Sequence, residues 1–342
     1  MAMMDLVNTI ATKKIVPGVV DLVLRNSPLL ALVRKNVKPW EGHTMQENFV
    51  YGVLNAVPYS PGDTFDISQR QVATGGTVTP RYYNVAVPAY LEKLKIEMAG
   101  PQAVFDYVQL LMQVAALSMS ARLANDLYRH GQNLTADRSE YLNGLEEALV
   151  DATTAGFMSQ VMAAYLTVTR SNVSGALDSL RAGPAASLGV LSYDKLEEAY
   201  SSVCIGPEHP DLILTTNKGW SYVKMVAQPQ QRFETTDPDF GFQSVRFNGA
   251  RVIPDQYAPG TRTATASDTA VGYSAVAGGE TMYFLNTDYL RFYVSPDPLF
   301  GFGFTGFMPA QTNSTVVGHY KFSGNFTCQA PRYMRAFHGI TA

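Results

Sequence analysis

Gly301, Gly303 and Gly306 spell G-x-G-x-x-G, the spacing that lets a backbone approach a pyrophosphate at the start of a helix. That chemistry also needs a capped helix after the last glycine and an acidic residue about twenty positions on to hold the ribose. Neither is present, and no Asp or Glu follows Asp297, so the pattern reads as a packed strand or loop of aromatics and glycines. The five histidines, His43, His130, His209, His319 and His338, are dispersed, with no H-E-x-x-H pair and no carboxylate at helical spacing. His209 lies between Glu208 and Asp211, the ingredients of an acid–base group, yet Gly206, Pro207 and Pro210 make the segment a connection into the next strand. Asp237 and Asp239 flank Pro238 in a turn, and neither G-x-S-x-G nor a phosphate-binding loop occurs. Cys204 and Cys328 have no C-x-x-C partner, which excludes a cysteine zinc site and a disulfide scaffold. The expectation is a protein with no catalytic, cofactor-binding or metal-ligating residues, and not an enzyme.

The elements around these residues suggest a different kind of work. In residues 1–40 the bases Lys13, Lys14, Arg25, Arg34, Lys35 and Lys38 face only Asp5 and Asp21, and Pro17, Gly18 and Pro28 interrupt the apolar patches. This is a basic arm that needs another surface to pack on. Apolar and polar positions alternate over 45–54, 82–87 and 91–96, with Pro58, Pro61, Gly62, Gly75, Gly76 and Pro80 between the first two runs. The reading is a long two-stranded excursion, and since an isolated hairpin is marginal in water it must lean on a neighbour. From Gly100 to Gly131 the spacing of Val104, Val108, Leu111, Ala115, Met119, Leu123 and Leu127, behind Pro101, predicts one helix of about 45 Å.

A second helix is predicted over 139–153, with Leu142, Leu145 and Leu149 behind an acidic middle. Residues 167–188 read as surface loops and short strands. Ser192 caps a helix carrying Leu196, Ala199, Tyr200 and Val203, residues 211–216 form a buried strand, and Asn217 caps a helix with Trp220. Asn248-Gly249 suits a type I′ turn between strands. Residues 254–280 read as a long exposed loop, with strands resuming at 282–285, 291–294 and 319–329. Strands and helices mixed in this way predict an α+β body.

Composition sets the outer bounds. The chain has 342 residues, 46% apolar and 16% charged, with 26 Lys and Arg against 29 Asp and Glu for a net charge of −3. That is a chain able to bury a core, and not one that adheres to nucleic acid by bulk charge. No apolar run reaches the roughly 18 residues of a membrane helix and no signal peptide is evident, so the expectation is a soluble chain kept in a cytoplasm.

In order along the chain, these features resemble the major capsid proteins of tailed bacteriophages with the Hong Kong 97-type fold. The residues that carry the likeness are Tyr193-Asp194-Lys195-Leu196-Glu197-Glu198-Ala199-Tyr200, Pro210-Asp211-Leu212-Ile213-Leu214-Thr215-Thr216-Asn217 with Trp220, and Phe247-Asn248-Gly249-Ala250-Arg251-Val252-Ile253-Pro254-Asp255. Tyr283-Phe284-Leu285-Asn286-Thr287 through Tyr293, residues 331–337, and the triplet Asn143-Gly144-Leu145 add to it. One departure is Tyr165-Leu166-Thr167-Val168-Thr169-Arg170, where the family commonly has a glycine-rich step before an arginine.

The resemblance implies an N-terminal arm (1–40), an extended loop (41–99), a peripheral domain with its spine helix (100–190), an axial domain (191–286), peripheral return strands (287–328) and an axial C-terminal strand (329–342). It implies a shell protein that assembles with itself as pentamers and hexamers around double-stranded DNA, touched non-specifically. The expected location is a virion capsid built in a bacterial host's cytoplasm, with portal and decoration proteins as further partners and no membrane. With no long segment ahead of the arm, a separate scaffolding protein or none is expected. With no lysine between Asn55 and Pro80, covalent crosslinking of shells is not expected. Candidate inter-subunit contacts are Lys13, Lys14, Arg25, Arg34, Lys35, Trp40, Pro61, Gly62, Gly75 and Gly76. Two rival readings stay open: an encapsulin-type compartment with protein cargo, and a soluble α+β enzyme with an unrecognised site.

Overall fold

A computed structural model describes residues 27–40, 42–64, 68–90, 107–131, 140–150, 157, 161–173, 175–179, 187–227, 245–270, 272–276, 278–309 and 315–342. Lys13, Lys14, Arg25, Pro101, residues 91–96 and the Asp237–Asp239 turn lie outside the described residues.

Pro28 begins a helix where the sequence reading has it as an interruption. The Ser27 hydroxyl accepts from Leu30 N and Pro28 fills the first turn of α1 (Pro28–Lys35), where its missing N–H costs nothing. Leu29, Leu30, Leu32 and Val33 are buried, and Arg34 and Lys35 complement the helix's negative end. After β1 (Val37–Pro39), β2 (Met45–Val50) pairs antiparallel with β3 (Ala73–Val78), Met45 opposite Val78 and Val50 opposite Ala73. The return strand of the excursion is therefore β3 and not 82–87. Gly75 and Gly76 lie inside it, because a Cβ on Gly76 would stand 2.7 Å from Leu166 O and one on Gly75 would strike the Gln46 side chain. β4 (Arg81–Tyr90) instead joins a sheet assembled from far along the chain.

The described part of the long helix is α2 (Tyr107–Asp126), with Ala115, Met119 and Leu123 in the core. The predicted 139–153 helix contracts to α3 (Leu145–Leu149), and its acidic middle is buried, not solvated. Glu147 is satisfied there by Gly131 N at 3.2 Å and Asn143 Nδ2 at 3.1 Å. Past β5 (Ala164–Tyr165) and β6 (Val168–Thr169) comes a second correction to the surface reading: Val173, Leu177 and the whole of Arg170 are buried. The Arg170 guanidinium donates to Glu147 O at 2.7 Å, Ala148 O at 3.2 Å and Leu177 O, so it meets the carbonyls at the end of α3 that no helical N–H can reach.

Beyond β7 (Ser187–Val190), α4 (Tyr193–Ser201) is capped by Ser192 as expected. β8 (Leu212–Thr215) is wholly buried, but the cap of α5 (Asn217–Ala227) is Thr216, whose hydroxyl accepts from Gly219 N at 3.0 Å. β9 (Val245–Phe247) and β10 (Ala250–Pro254) turn through Asn248 and Gly249 at φ 47° and 85°, as type I′ requires. Among the described residues of the 254–280 stretch exposure begins only at Thr261 and runs past α6 (Ala266–Ala270), because Asp255, Tyr257 and Ala258 are drawn into the core. The remaining strands are β11 (Glu280–Leu285), β12 (Leu290–Val294), β13 (Gly301–Pro309), β14 (Thr315–Cys328) and β15 (Arg335–Thr341).

Two larger sheets result. One runs β1-β12-β14-β13 with β4 on the other side of β14, and the other runs β7-β15-β11-β8-β10-β9. Alternate residues of the six-stranded sheet face different cores. Leu212, Leu214, Tyr283 and Leu285 join α1, α2 and the five-stranded sheet in one core, while Ile213, Met282 and Phe284 pack with α4 and α5 in the other.

Candidate functional site

Among the described residues, the acidic and cysteine side chains singled out in the sequence are committed to structure. Glu208 accepts from Asn286 Nδ2 at 3.0 Å and Asp211 accepts from Thr287 N and Oγ1, so both pin the turn after β11, while His209 is exposed. Gly301 and Gly303 serve packing, since a Cβ on Gly303 would lie 2.0 Å from Pro298 O, while Gly306 has open space and serves a left-handed φ of 77°. Cys204 and Cys328 are free, and burial pushes the Cys328 thiol up to about 12. Glu280 borders a cleft of about 330 Å³, but its carboxylate already accepts from the Thr216 and Thr261 hydroxyls. Among the described residues no three His, Cys, Asp or Glu side chains gather as metal ligands, and no helix is long and apolar enough to cross a membrane.

What stands out is the hairpin. Its root is fixed by Glu47, a buried carboxylate on β2 that accepts from Tyr293 Oη at 2.5 Å, Gln329 Nε2 at 2.9 Å and Thr327 Oγ1 at 3.2 Å. The bond to Glu47 adds to burial in raising the Tyr293 hydroxyl's pKa well above its ordinary value. Phe49 leans on Tyr165, whose hydroxyl accepts from Cys328 N at 2.7 Å.

Beyond the root the character inverts. No charged residue occurs from Asn48 to Gly62, yet Val50, Val53, Leu54, Val57 and Tyr59 are 79, 89, 73, 62 and 67% exposed. The turn beyond them places Pro61 and then Gly62 at φ 102°, closed by Asp63 N to Ser60 O at 3.0 Å, the pattern of a type II turn. A run of apolar side chains on a rigid stem is a surface made to be covered.

The candidate contact residues separate accordingly. Pro61 and Gly62 lie at the exposed turn and Lys35 is exposed. Arg34 extends over the Phe302 ring, 4.6 Å from its centre, and burial lowers its pKa from the usual guanidinium value. Trp40 is buried in its own chain, donating to Gly42 O at 2.9 Å and meeting Tyr293 edge-on, and Gly75 and Gly76 lie inside the hairpin stem. Among the described candidates the structure thus gathers no single site. Sequence reasoning missed Glu47, Asp255 and Arg170, which their sequence neighbours do not mark: Glu47 stands between Gln46 and Asn48, and Arg170 between Thr169 and Ser171.

No protein-family model and no curated protein sequence matches the chain. Solved structures do. A Cyanophage A-1(L) capsid asymmetric unit superposes with a TM-score of 0.69 at 14% identity, covering 96% of this chain and 97% of that one. The capsid of a native GTA particle gives 0.58 at 11% identity, with coverage of 96% and 95%. The SrpI encapsulin complex from Synechococcus elongatus gives 0.57 at 12% identity, with coverage of 98% and 95%. The chain has the Hong Kong 97-type fold over nearly its whole length.

Proposed function

We propose that this chain is the major capsid protein of a tailed phage, a shell subunit whose copies assemble as pentamers and hexamers around double-stranded DNA. The observation that carries the reading is the uncharged, exposed apolar run from Val50 to Tyr59 on a stem locked to its own body through Glu47. A monomer gains nothing from holding such a run in water, whereas repeated contacts between copies bury it many times over. The shared fold with phage capsids supports the same conclusion.

In this reading the chain divides as the sequence suggests, into arm, extended loop, peripheral and axial parts, with Pro61 and Gly62 meeting an adjacent subunit and Arg34 and Lys35 near another. Portal and decoration proteins are its partners, with a separate scaffolding protein or none, the host cytoplasm is its place of assembly and the virion its destination. The shell is non-covalent, so boiled particles run as one band.

The test is to express and purify the protein, with and without a candidate scaffolding protein. Mass is read by light scattering, and the same fraction is imaged by electron microscopy. Closed particles with nuclease-protected DNA are expected. Particles filled with a protein cargo would favour the encapsulin-type alternative, and a lasting monomer or dimer would overturn both.

A further inference from the structure

The turn between β5 and β6 has a conformation its residues do not favour. Leu166 and Thr167 sit at φ 47° and 69°, the left-handed region, where a two-residue hairpin turn ordinarily takes Asn and Gly. Neither residue is glycine and Thr167 is β-branched, so the turn is held by what surrounds it. What surrounds it is the stem of the extended hairpin. Thr77 N donates to Leu166 O at 3.0 Å, the Thr77 and Thr167 hydroxyls lie 2.9 Å apart, and the Leu166 side chain is buried. Gly76 makes the approach possible, since a Cβ there would lie 2.7 Å from Leu166 O and 3.0 Å from the Phe49 ring.

The root of the stem is anchored independently of the turn, at Glu47 and at both of its ends. Gly42, at φ 79°, stands before β2 with its carbonyl held by the Trp40 indole, and the Thr79 carbonyl after β3 is held by Asn325 Nδ2 at 2.8 Å.

We propose that the Leu166–Thr167 turn is a strained latch that completes the aim of the extended hairpin by gripping Gly76 and Thr77, and that relaxation of the turn frees the hairpin to re-aim about its Glu47 anchor. The consequence for assembly rests on the shell reading, because the hairpin's direction decides which part of a neighbour it meets. The latch itself is a property of the single chain.

The experiment is hydrogen exchange at the Thr77 amide in unassembled full-length protein, with the amides of β14 as an internal control for folding. Gly76→Ala wedges the stem off the turn and is expected to speed exchange at Thr77 while β14 is unchanged. The Thr77 amide also reaches the Thr167 hydroxyl at 3.3 Å, so Thr167→Ala and Thr167→Gly are compared: both delete that hydroxyl, but only glycine relieves the turn. Exchange at Thr77 is expected to be about tenfold slower in Thr167→Gly than in Thr167→Ala, the factor that one strained left-handed residue is worth. Equal rates in that pair, or unchanged exchange in a folded Gly76→Ala, would overturn the latch. A chain that never forms particles but shows the expected exchange would refute the shell reading and leave the latch standing.

Discussion

The Ser27 hydroxyl donates a 2.5 Å hydrogen bond to Oδ2 of Asp255, 228 residues further along the chain. Tyr128 Oη donates to the same oxygen at 2.8 Å, and Tyr257 N donates to the other carboxylate oxygen at 2.9 Å. One buried acid therefore joins the start of α1, the turn after α2 and the loop after β10. Removing Ser27 takes away a helix cap and a donor together, so Ser27→Ala is expected to cost about 1–2 kcal/mol in urea unfolding. Asp255→Ala leaves the Ser27 and Tyr128 hydroxyls facing nothing and is expected to cost about 3 kcal/mol.

Acid should act in opposite senses on two aspartates. Burial raises the Asp255 pKa above its ordinary value, so between that value and the raised one the folded chain binds more protons than the unfolded. Its contribution to stability is therefore more favourable at the acid side of that window, and the gap between wild type and Asp255→Ala should widen as pH falls through it. Asp268 is held at about 2 by hydrogen bonds from Arg262, helped by Thr265, so its contribution is present above the ordinary carboxylate value and lost as pH falls toward 2. Solvent screening keeps that second effect below about 1 kcal/mol. Urea titrations of Asp255→Ala and Asp268→Asn across pH 2–7 would show slopes of opposite sign, and parallel curves would refute the assignment.

Charge placed on the exposed run should separate assembly from folding. Val53→Asp with Leu54→Asp puts two carboxylates where no partner within the chain is touched, so monomer stability should stay within about 0.5 kcal/mol. Particle formation, followed by sedimentation, should be lost. Normal particles from this variant would show that the run is not buried between subunits.

Arg170 is expected to be among the least replaceable residues. Arg170→Met would leave the carbonyls of Glu147, Ala148 and Leu177 without their buried donor and Asp178, 3.6 Å away, without its cation. A loss of about 3–5 kcal/mol is expected in denaturant titration. A loss under about 1 kcal/mol would mean that water replaces the guanidinium.

The two thiols should report their surroundings chemically. Cys328 is fully buried with its thiol pushed up to about 12, whereas Cys204 is half-buried on the rim of the second core. Iodoacetamide at pH 8 should alkylate Cys204 slowly in the native protein and reach Cys328 only after unfolding. Mass spectrometry of digested samples distinguishes them, and native labelling at Cys328 would indicate that the five-stranded sheet opens.

What the sequence made legible was local. Ser192 and its helix, the run Leu212–Thr215 and the Asn248-Gly249 turn each announce themselves within a few residues, and each is found in place. What escaped was decided at a distance. Gly75 and Gly76 look like turn residues until Gln46 and Leu166 are seen to fill the space of a side chain, and nothing near Arg81–Tyr90 names its partner in β14. The burial of Glu146 and Glu147 could not be read from the acidic middle of the 139–153 segment, because a carboxylate's burial depends on donors such as Asn143 Nδ2 that folding brings to it. The exposed hairpin was legible as an unsupported excursion, but its anchor Glu47 was not, since Tyr293 and Gln329 lie far away in sequence.

β14 pairs with β4 on one side and with β12 and β13 on the other, so strands formed early and late in the chain share one axis. On the ribosome this imposes a schedule. β4 emerges roughly ten seconds to a minute before its partner at ordinary elongation rates, and until then the five-stranded sheet has no centre and Glu47 no Thr327 or Gln329 to hold. Nascent chains on one messenger thus carry the apolar hairpin without a finished anchor to aim it, and in the proposed shell recognition between copies would wait for translation to pass β14.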